Sequence, residues 1–202
     1  MVDSSSLWFG RWADGDAMGL AAFLSPEFPD GAMIELDSLA PRLRDGADEG
    51  WRVRWDRRNE RLLSLCVKGE AHHRWFVFLD GPSLAMLAFE SDDVASGRVL
   101  DRDQFKESGL DRSAQIGQVV WKPASSQLVD VQVEEAQRRR GLGRVLLCAA
   151  AAHQVCSGHR LLWAGGARTD LGDMVAQRFP YSERVNPRAI GLAPDPPPDI
   201  LV

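Results

Sequence analysis

Leu128-Val129-Asp130-Val131-Gln132-Val133-Glu134-Glu135-Ala136-Gln137-Arg138-Arg139-Arg140-Gly141-Leu142-Gly143-Arg144-Val145-Leu146-Leu147 reads as a buried strand, a short basic glycine turn and a long apolar helix. Such a junction is an anion site. Amide hydrogens at the start of a helix have no intrahelical acceptor, and the helix dipole adds partial positive charge where they converge. Gly141 and Gly143 let the backbone bend sharply and let a bulky diphosphate come close. Arg138, Arg139, Arg140 and Arg144 surround the opening with fixed positive charge.

Around this turn the chain resembles the GNAT superfamily of acyl-CoA-dependent N-acyltransferases, whose central motif is Arg or Gln, two residues, Gly, one residue, then Gly or Ala. Arg138-Arg139-Arg140-Gly141-Leu142-Gly143 matches it, and Val133 stands where the family ends its preceding strand with a valine. Leu7 to Leu20 is similar to the family's first strand, its arginine and an Asp-Ala helix opening. Arg74 to Leu87 is similar to its second strand, Asp80-Gly81 hairpin and third strand. The resemblance implies an α/β (α+β) fold with a mixed, mostly antiparallel central sheet flanked by helices and splayed at the fourth strand. It implies one domain over 1–192, with an insertion near 91–113 and a Pro-rich tail over 193–202.

Competing readings of the turn fail on spacing. A dinucleotide fingerprint needs a third glycine where Leu146 stands, and no Gly-Lys-Ser or Gly-Lys-Thr follows a glycine-rich loop. A chain of 202 residues with 45% hydrophobic and 26% charged residues is long enough to bury a core without staples. Cys66, Cys148 and Cys156 have no metal-ligand spacing, so no metal is expected. A net charge of -5 argues against a general nucleic-acid binder, and against acylation of aminoacyl-tRNA. No apolar run is long enough to span a bilayer, and Met1-Val2-Asp3-Ser4 lacks the pattern of a signal peptide, so the expectation is a cytoplasmic protein without membrane contact.

Along the chain, Leu7 to Trp12 is expected as a strand, and Asp14 or Asp16 as the cap of a helix through Ala17 to Leu24. Phe28-Pro29-Asp30-Gly31 reads as a turn, and Ile34 to Leu43 as a short helix broken at Pro41. Asn59 looks like the cap of a second helix that runs to Lys68 and stops at Gly69. Strands are expected at Trp75 to Leu79 and Leu84 to Glu90, a helical turn around Gln104-Phe105-Lys106, and an added strand at Ile116 to Trp121. After the helix from Gly141 to about Gln154 come a strand at Arg160 to Ala164 and a last helix at Thr169 to Phe179, ended by Pro180.

Acyl transfer requires an amine that loses a proton, a polarised thioester carbonyl and a departing thiolate that is stabilised. The resemblance implies acetyl-CoA or another acyl-CoA as cosubstrate and a small-molecule or peptide amine as acceptor, with homodimers common in the family. Backbone of Val131 and Val133 would bond the pantetheine arm. Arg138, Arg139, Arg140, Gly141, Leu142, Gly143 and Arg144 would hold the phosphates, and Asp173 falls at the polar position of the last helix. The family's acid is often a tyrosine on that helix, and the single tyrosine, Tyr181, lies one residue beyond the matching position, which Pro180 occupies. Glu90, Asp130 and Glu134 are the candidate bases. His72 and His73 have no third ligand or orienting carboxylate beside them, and Trp51 and Trp55 are candidates to line an acceptor pocket. The expected function is N-acyl transfer from acyl-CoA to a primary amine without a covalent enzyme intermediate. A catalytically silent module of the same fold, binding acyl-CoA or a protein partner, is the alternative.

Overall fold

The computed structural model describes residues 6–38, 48–67, 74–79, 83–90, 94–109, 112–165 and 173. The chain divides into two compact units, Met1–His72 and His73–Val202. Each contains its own sheet, where the sequence predicts one central sheet.

The first unit comprises β1 (Ser6–Asp14), β2 (Ala17–Ser25), β3 (Met33–Glu35), β4 (Asp48–Asp56) and β5 (Arg61–Val67), in the order β3-β1-β2-β4-β5. Neighbours are antiparallel except β3, which runs parallel to β1. The strand at Leu7 to Trp12 and the turn at Phe28 to Gly31 are found as expected. Of the three helices expected in this region, those at Ala17 to Leu24 and after Asn59 are strands.

Gly15-Asp16 forms a two-residue hairpin turn, with Asp14 opposite Ala17 and Gly15 at φ 60°. Asp14 caps nothing and instead pairs with Arg54 Nε at 2.7 Å. Apolar residues on both faces of β2 are buried, a pattern that a helix and a fully covered strand share. The indole of Trp12 lies across Gly19, in the space where any β-carbon would sit. Asn59 is likewise no helix cap. It donates through Nδ2 to Asp56 Oδ2 at 2.8 Å and through its backbone N–H to Asp56 Oδ1 at 3.2 Å, building the turn between β4 and β5. Those two bonds, with that from Arg58 N–H, hold the Asp56 carboxyl below its ordinary value.

Trp8 stacks on Phe23 at 4.4 Å and meets the edge of Phe28 at 4.7 Å, while its Nε1 donates to Ser25 Oγ at 2.9 Å. Trp51 and Trp55 are buried in β4, with Trp51 5.9 Å from Phe9. They are core residues of this sheet. The expected helix at Ile34 to Leu43 begins instead as β3; its later residues lie outside the described ones.

The second unit comprises β6 (Arg74–Leu79), β7 (Leu84–Glu90), β8 (Val99–Leu100), α1 (Arg102–Glu107), β9 (Gln115–Lys122), β10 (Gln127–Val133), α2 (Leu142–Cys156) and β11 (Trp163–Ala164). Its sheet runs β11-β10-β9-β7-β6-β8. β6, β7, β9 and β10 are successively antiparallel, while β11 and β8 pair parallel to β10 and β6. The strand read as added, β9, is central and separates β7 from β10. The strand expected at Arg160 to Ala164 shortens to Trp163–Ala164, tied down by Trp163 N–H to the Ser126 carbonyl at 2.9 Å.

Alternation sorts the sheet into two faces. Ala85, Leu87, Phe89 and Val120 form one apolar cluster with Leu100 and with Phe105 of α1, whose ring lies 5.0 Å from Phe89. α1 is closed at its start by a reciprocal Asp101–Gln104 capping box. The opposite face, which includes Gly117 and Trp121, carries α2. A β-carbon on Gly117 would meet Leu142 Cδ2 and Leu146 Cδ1 at 3.2 Å, and Trp121 packs 5.5 Å from His153 of α2. Buried Gln154 secures the far end of α2 by donating to the Pro123 carbonyl at 3.2 Å and Ser126 Oγ at 3.3 Å.

Candidate functional site

The site begins with an exposed strand edge. β10 pairs with β11 only at Gln127 and Leu128, so among the described residues Val129 to Val133 has a strand on one side alone. The register against β9 shifts between Leu128 and Asp130, which marks a bulge at Val129. Glu134 N–H bonds to the Ile116 carbonyl at 3.0 Å, so antiparallel alternation turns the backbone of Gln132 toward β9 as well. Val131 and Val133 therefore present their N–H and C=O groups to the open side. The Val133 carbonyl is taken there by Arg138 Nε at 3.2 Å.

The basic turn leads from this edge into α2. Arg138 is extended, Arg139 sits in the left-handed region at φ 62°, and Gly141 is the N-cap of α2 at φ 78°. Left-handed backbone is natural for glycine and costs an arginine on the order of 1 kcal/mol, so the turn is tightly specified. Gly141 offers no side-chain bond to the first helical turn, and the first intrahelical bond runs from Val145 N–H to the Gly141 carbonyl at 3.1 Å. The opening amides of Leu142, Gly143 and Arg144 thus precede the helix ladder. Gly143 lies beside the end of β10, where, among the described residues, an added β-carbon would meet Val133 Cγ2 at 3.8 Å. Strand edge and helix mouth converge there.

The three candidate carboxylates differ sharply. Glu90, at the end of β7, is engaged by the basic turn: Oε2 accepts from Gln137 Nε2 at 2.9 Å, and Oε1 lies 3.6 Å from Arg140 Nη2. Arg140 also donates to Gln137 Oε1, closing a three-residue network that the sequence reading did not contain. Glu134 is exposed and makes no side-chain cap bond to the 3₁₀ turn Glu135–Gln137. Asp130 is half-buried, and its Oδ2 accepts from Gln118 Nε2 at 3.4 Å. Burial raises its carboxyl above the ordinary value, opposed by the bonds from Gln118 and from the Val131 backbone N–H.

The bond to Gln118 ties the Asp130 carboxylate to β9, on the paired side of β10. The structure brings together Val131, Val133, Arg138, Gly141, Leu142, Gly143 and Arg144, joins Glu90 to the turn through Gln137 and Arg140, and sets Asp130 apart, beside Gln118. Gln118 and Gln137 were missed. Gln118 leaves a signal in sequence, as a lone amide inside the otherwise apolar run Ile116 to Trp121.

Asp173 is helical and half-buried. Tyr181, His72, His73, the remainder of the expected last helix and the Pro-rich tail lie outside the described residues. Among the described residues no group of three or more His, Cys, Asp or Glu side chains is placed to hold a metal ion. Among them, too, no helix is long and apolar enough to cross a membrane. No family model, no curated protein and no solved structure matches the chain.

Proposed function

We propose that the second unit binds an acyl-CoA at the junction of β10 and α2, and that the protein transfers the acyl group to a primary amine in the manner of the GNAT superfamily. One observation carries the reading. The open backbone edge of Val131 and Val133 meets the glycine-formed mouth of α2 at Gly143, so a strand-like arm and a diphosphate fit side by side. The pantetheine arm has amides that complete a strand edge, and the diphosphate suits converging helix amides flanked by arginines. The β10–α2–β11 crossover, with its parallel pair, supports the same reading. When bound, the coenzyme supplies the activated thioester. The chain's part is to align it, to polarise its carbonyl through backbone N–H groups, and to take a proton from the amine.

Glu90 favours the silent-module reading in one respect, because Gln137 and Arg140 already occupy it. Release of free thiol from acetyl-CoA across a panel of primary amines decides between them. Turnover well above the uncatalysed rate supports the transferase; coenzyme-dependent thermal stabilisation without turnover supports the binding module. At about 100 times its Kd, acetyl-CoA should stabilise the fold by roughly 2.7 kcal/mol, a rise in Tm of about 5–10 °C. With neither turnover nor stabilisation both acyl-CoA readings fall, and a partner-binding module is what is left.

A further inference from the structure

We propose that Arg138 is a latch on the open edge of β10: its guanidinium holds the Val133 carbonyl against a strand-like ligand, and an anion at the mouth of α2 draws it off. The edge then admits a ligand that joins an extended amide arm to an anionic group, and is closed to the arm alone. The inference rests on the acyl-CoA reading and adds to it a rule of selection.

The latch is built from a short return of the chain. β10 ends at Val133, and the 3₁₀ turn Glu135–Gln137 follows. Gln137 N–H bonds to the Glu134 carbonyl at 2.9 Å and Arg138 N–H to the Glu135 carbonyl at 3.2 Å, which brings Arg138 back beside the strand that the chain has just left. Its Nε then donates to the Val133 carbonyl at 3.2 Å. Val133 turns that carbonyl away from β9, so the guanidinium stands where the N–H of an added strand would donate. A β-carbon on Gly143 would stand 3.8 Å from Val133 Cγ2, so the latched carbonyl and the mouth of α2 meet at one residue.

The arginines of the turn are not equivalent. Arg140 is engaged by Glu90 and Gln137, and Arg139 is exposed in the left-handed region. Arg138 is exposed too, but its recorded bond is to a neutral carbonyl rather than to a carboxylate. A guanidinium so placed gains by moving to a charged oxygen, because a hydrogen bond between two ions is roughly twice as strong as one between neutral groups, and a phosphate takes two of its N–H groups at once. That difference opens the latch. A neutral arm has to displace Arg138 and offers the cation nothing in return. Anion and arm therefore strengthen each other's binding, by the same factor in both directions.

The test uses the full chain, with inorganic pyrophosphate as the anion, pantetheine as the neutral arm and acetyl-CoA as the joined ligand. Calorimetry measures pantetheine binding with and without saturating pyrophosphate in the parent, Arg138→Ala and Arg139→Ala, and NMR follows the Arg138 Nε–H and the Val133 carbonyl carbon. In the parent, pyrophosphate should tighten pantetheine binding by about fivefold or more. Arg138→Ala should reach the tighter affinity without pyrophosphate and lose the coupling, whereas Arg139→Ala, with the same loss of charge, should keep it. Plain attraction of phosphate by Arg138 moves none of these, since pantetheine is uncharged. The Val133 carbonyl signal should shift in one direction on adding pyrophosphate or acetyl-CoA to the parent and on making Arg138→Ala. Independent binding of the two fragments to the parent overturns the latch and leaves the acyl-CoA reading standing. So does an Arg138 Nε–H bond to Val133 that persists with acetyl-CoA bound, which decides the matter where the fragments alone bind too weakly to measure. If the parent binds no acetyl-CoA, the acyl-CoA reading falls and the latch falls with it.

Discussion

Gln137 Nε2 donates to Glu90 Oε2 at 2.9 Å, so a carboxylate at the end of β7 is built into the turn that carries the arginines. Glu90 also stands 3.6 Å from Arg140, where it offers negative charge to a cation proposed to meet phosphate. Glu90→Gln should therefore leave turnover largely intact and tighten acetyl-CoA binding up to about fivefold at low salt, as expected for a partly exposed ion pair. Calorimetry at two ionic strengths checks it. A collapse of turnover at unchanged affinity would return Glu90 to the role of base.

Gly143 separates folding from ligand approach. Among the described residues its added β-carbon meets Val133 Cγ2 at an ordinary 3.8 Å, so Gly143→Ala should be neutral or should stabilise the helix by about 0.5–1 kcal/mol. The same methyl narrows the approach to the amides, and acetyl-CoA affinity should fall on the order of tenfold, or 1.4 kcal/mol. Thermal unfolding with and without acetyl-CoA reads both effects in one experiment.

Gly117 should behave in the opposite way. A methyl there would stand 2.9 Å from the Gln132 carbonyl oxygen and 3.2 Å from two leucines of α2. Gly117→Ala should destabilise the second unit by about 1–3 kcal/mol, visible as a lower urea midpoint. An unchanged midpoint would mean that α2 withdraws from β9 at no cost.

The raised Asp130 carboxyl makes stability depend on pH with a definite sign. Between the ordinary value of 3.8 and the raised one, the native state binds more protons than the unfolded state. Stability contributed by this group therefore falls as pH rises through that window. Asp130→Asn should be at least as stable as the parent at neutral pH, with the difference shrinking toward acid. Denaturation midpoints measured across that range check the sign.

Burial pushes the Cys156 thiol up to about 12, and Cys148 is buried in the same helix. Both should resist thiol reagents in the native protein and react only on unfolding, leaving Cys66 as the fast thiol. Mass spectrometry after brief labelling would show it.

The second unit was largely legible because its signals are local. Strand alternation in Gln127 to Val133, the glycine turn and the apolar run from Leu142 each specify a backbone state without help from distant residues. The first unit was not, because Ala17 to Leu24 is apolar on every side and periodicity cannot separate a covered strand from a buried helix. The decisive signals there were turns. Gly15-Asp16 between apolar runs is a hairpin junction, and Asp56 with Asn59 closes another through side-chain bonds. Of the site, the glycine turn could be read from spacing. The Glu90–Gln137 and Gln118–Asp130 pairs could not, since their members are 47 and 12 residues apart and meet only through sheet register.

The unpaired stretch of β10 also bears on the protein's behaviour at high concentration. Among the described residues no strand covers the row of amides and carbonyls that faces outward beside Val129, which is 40% exposed, and such an edge is a template for a strand from another molecule. Arg138 blocks one acceptor of that row and places a cation beside it, a guard against edge-to-edge self-association. A molecule that paired with this edge would complete the guard and act as a solubilising agent.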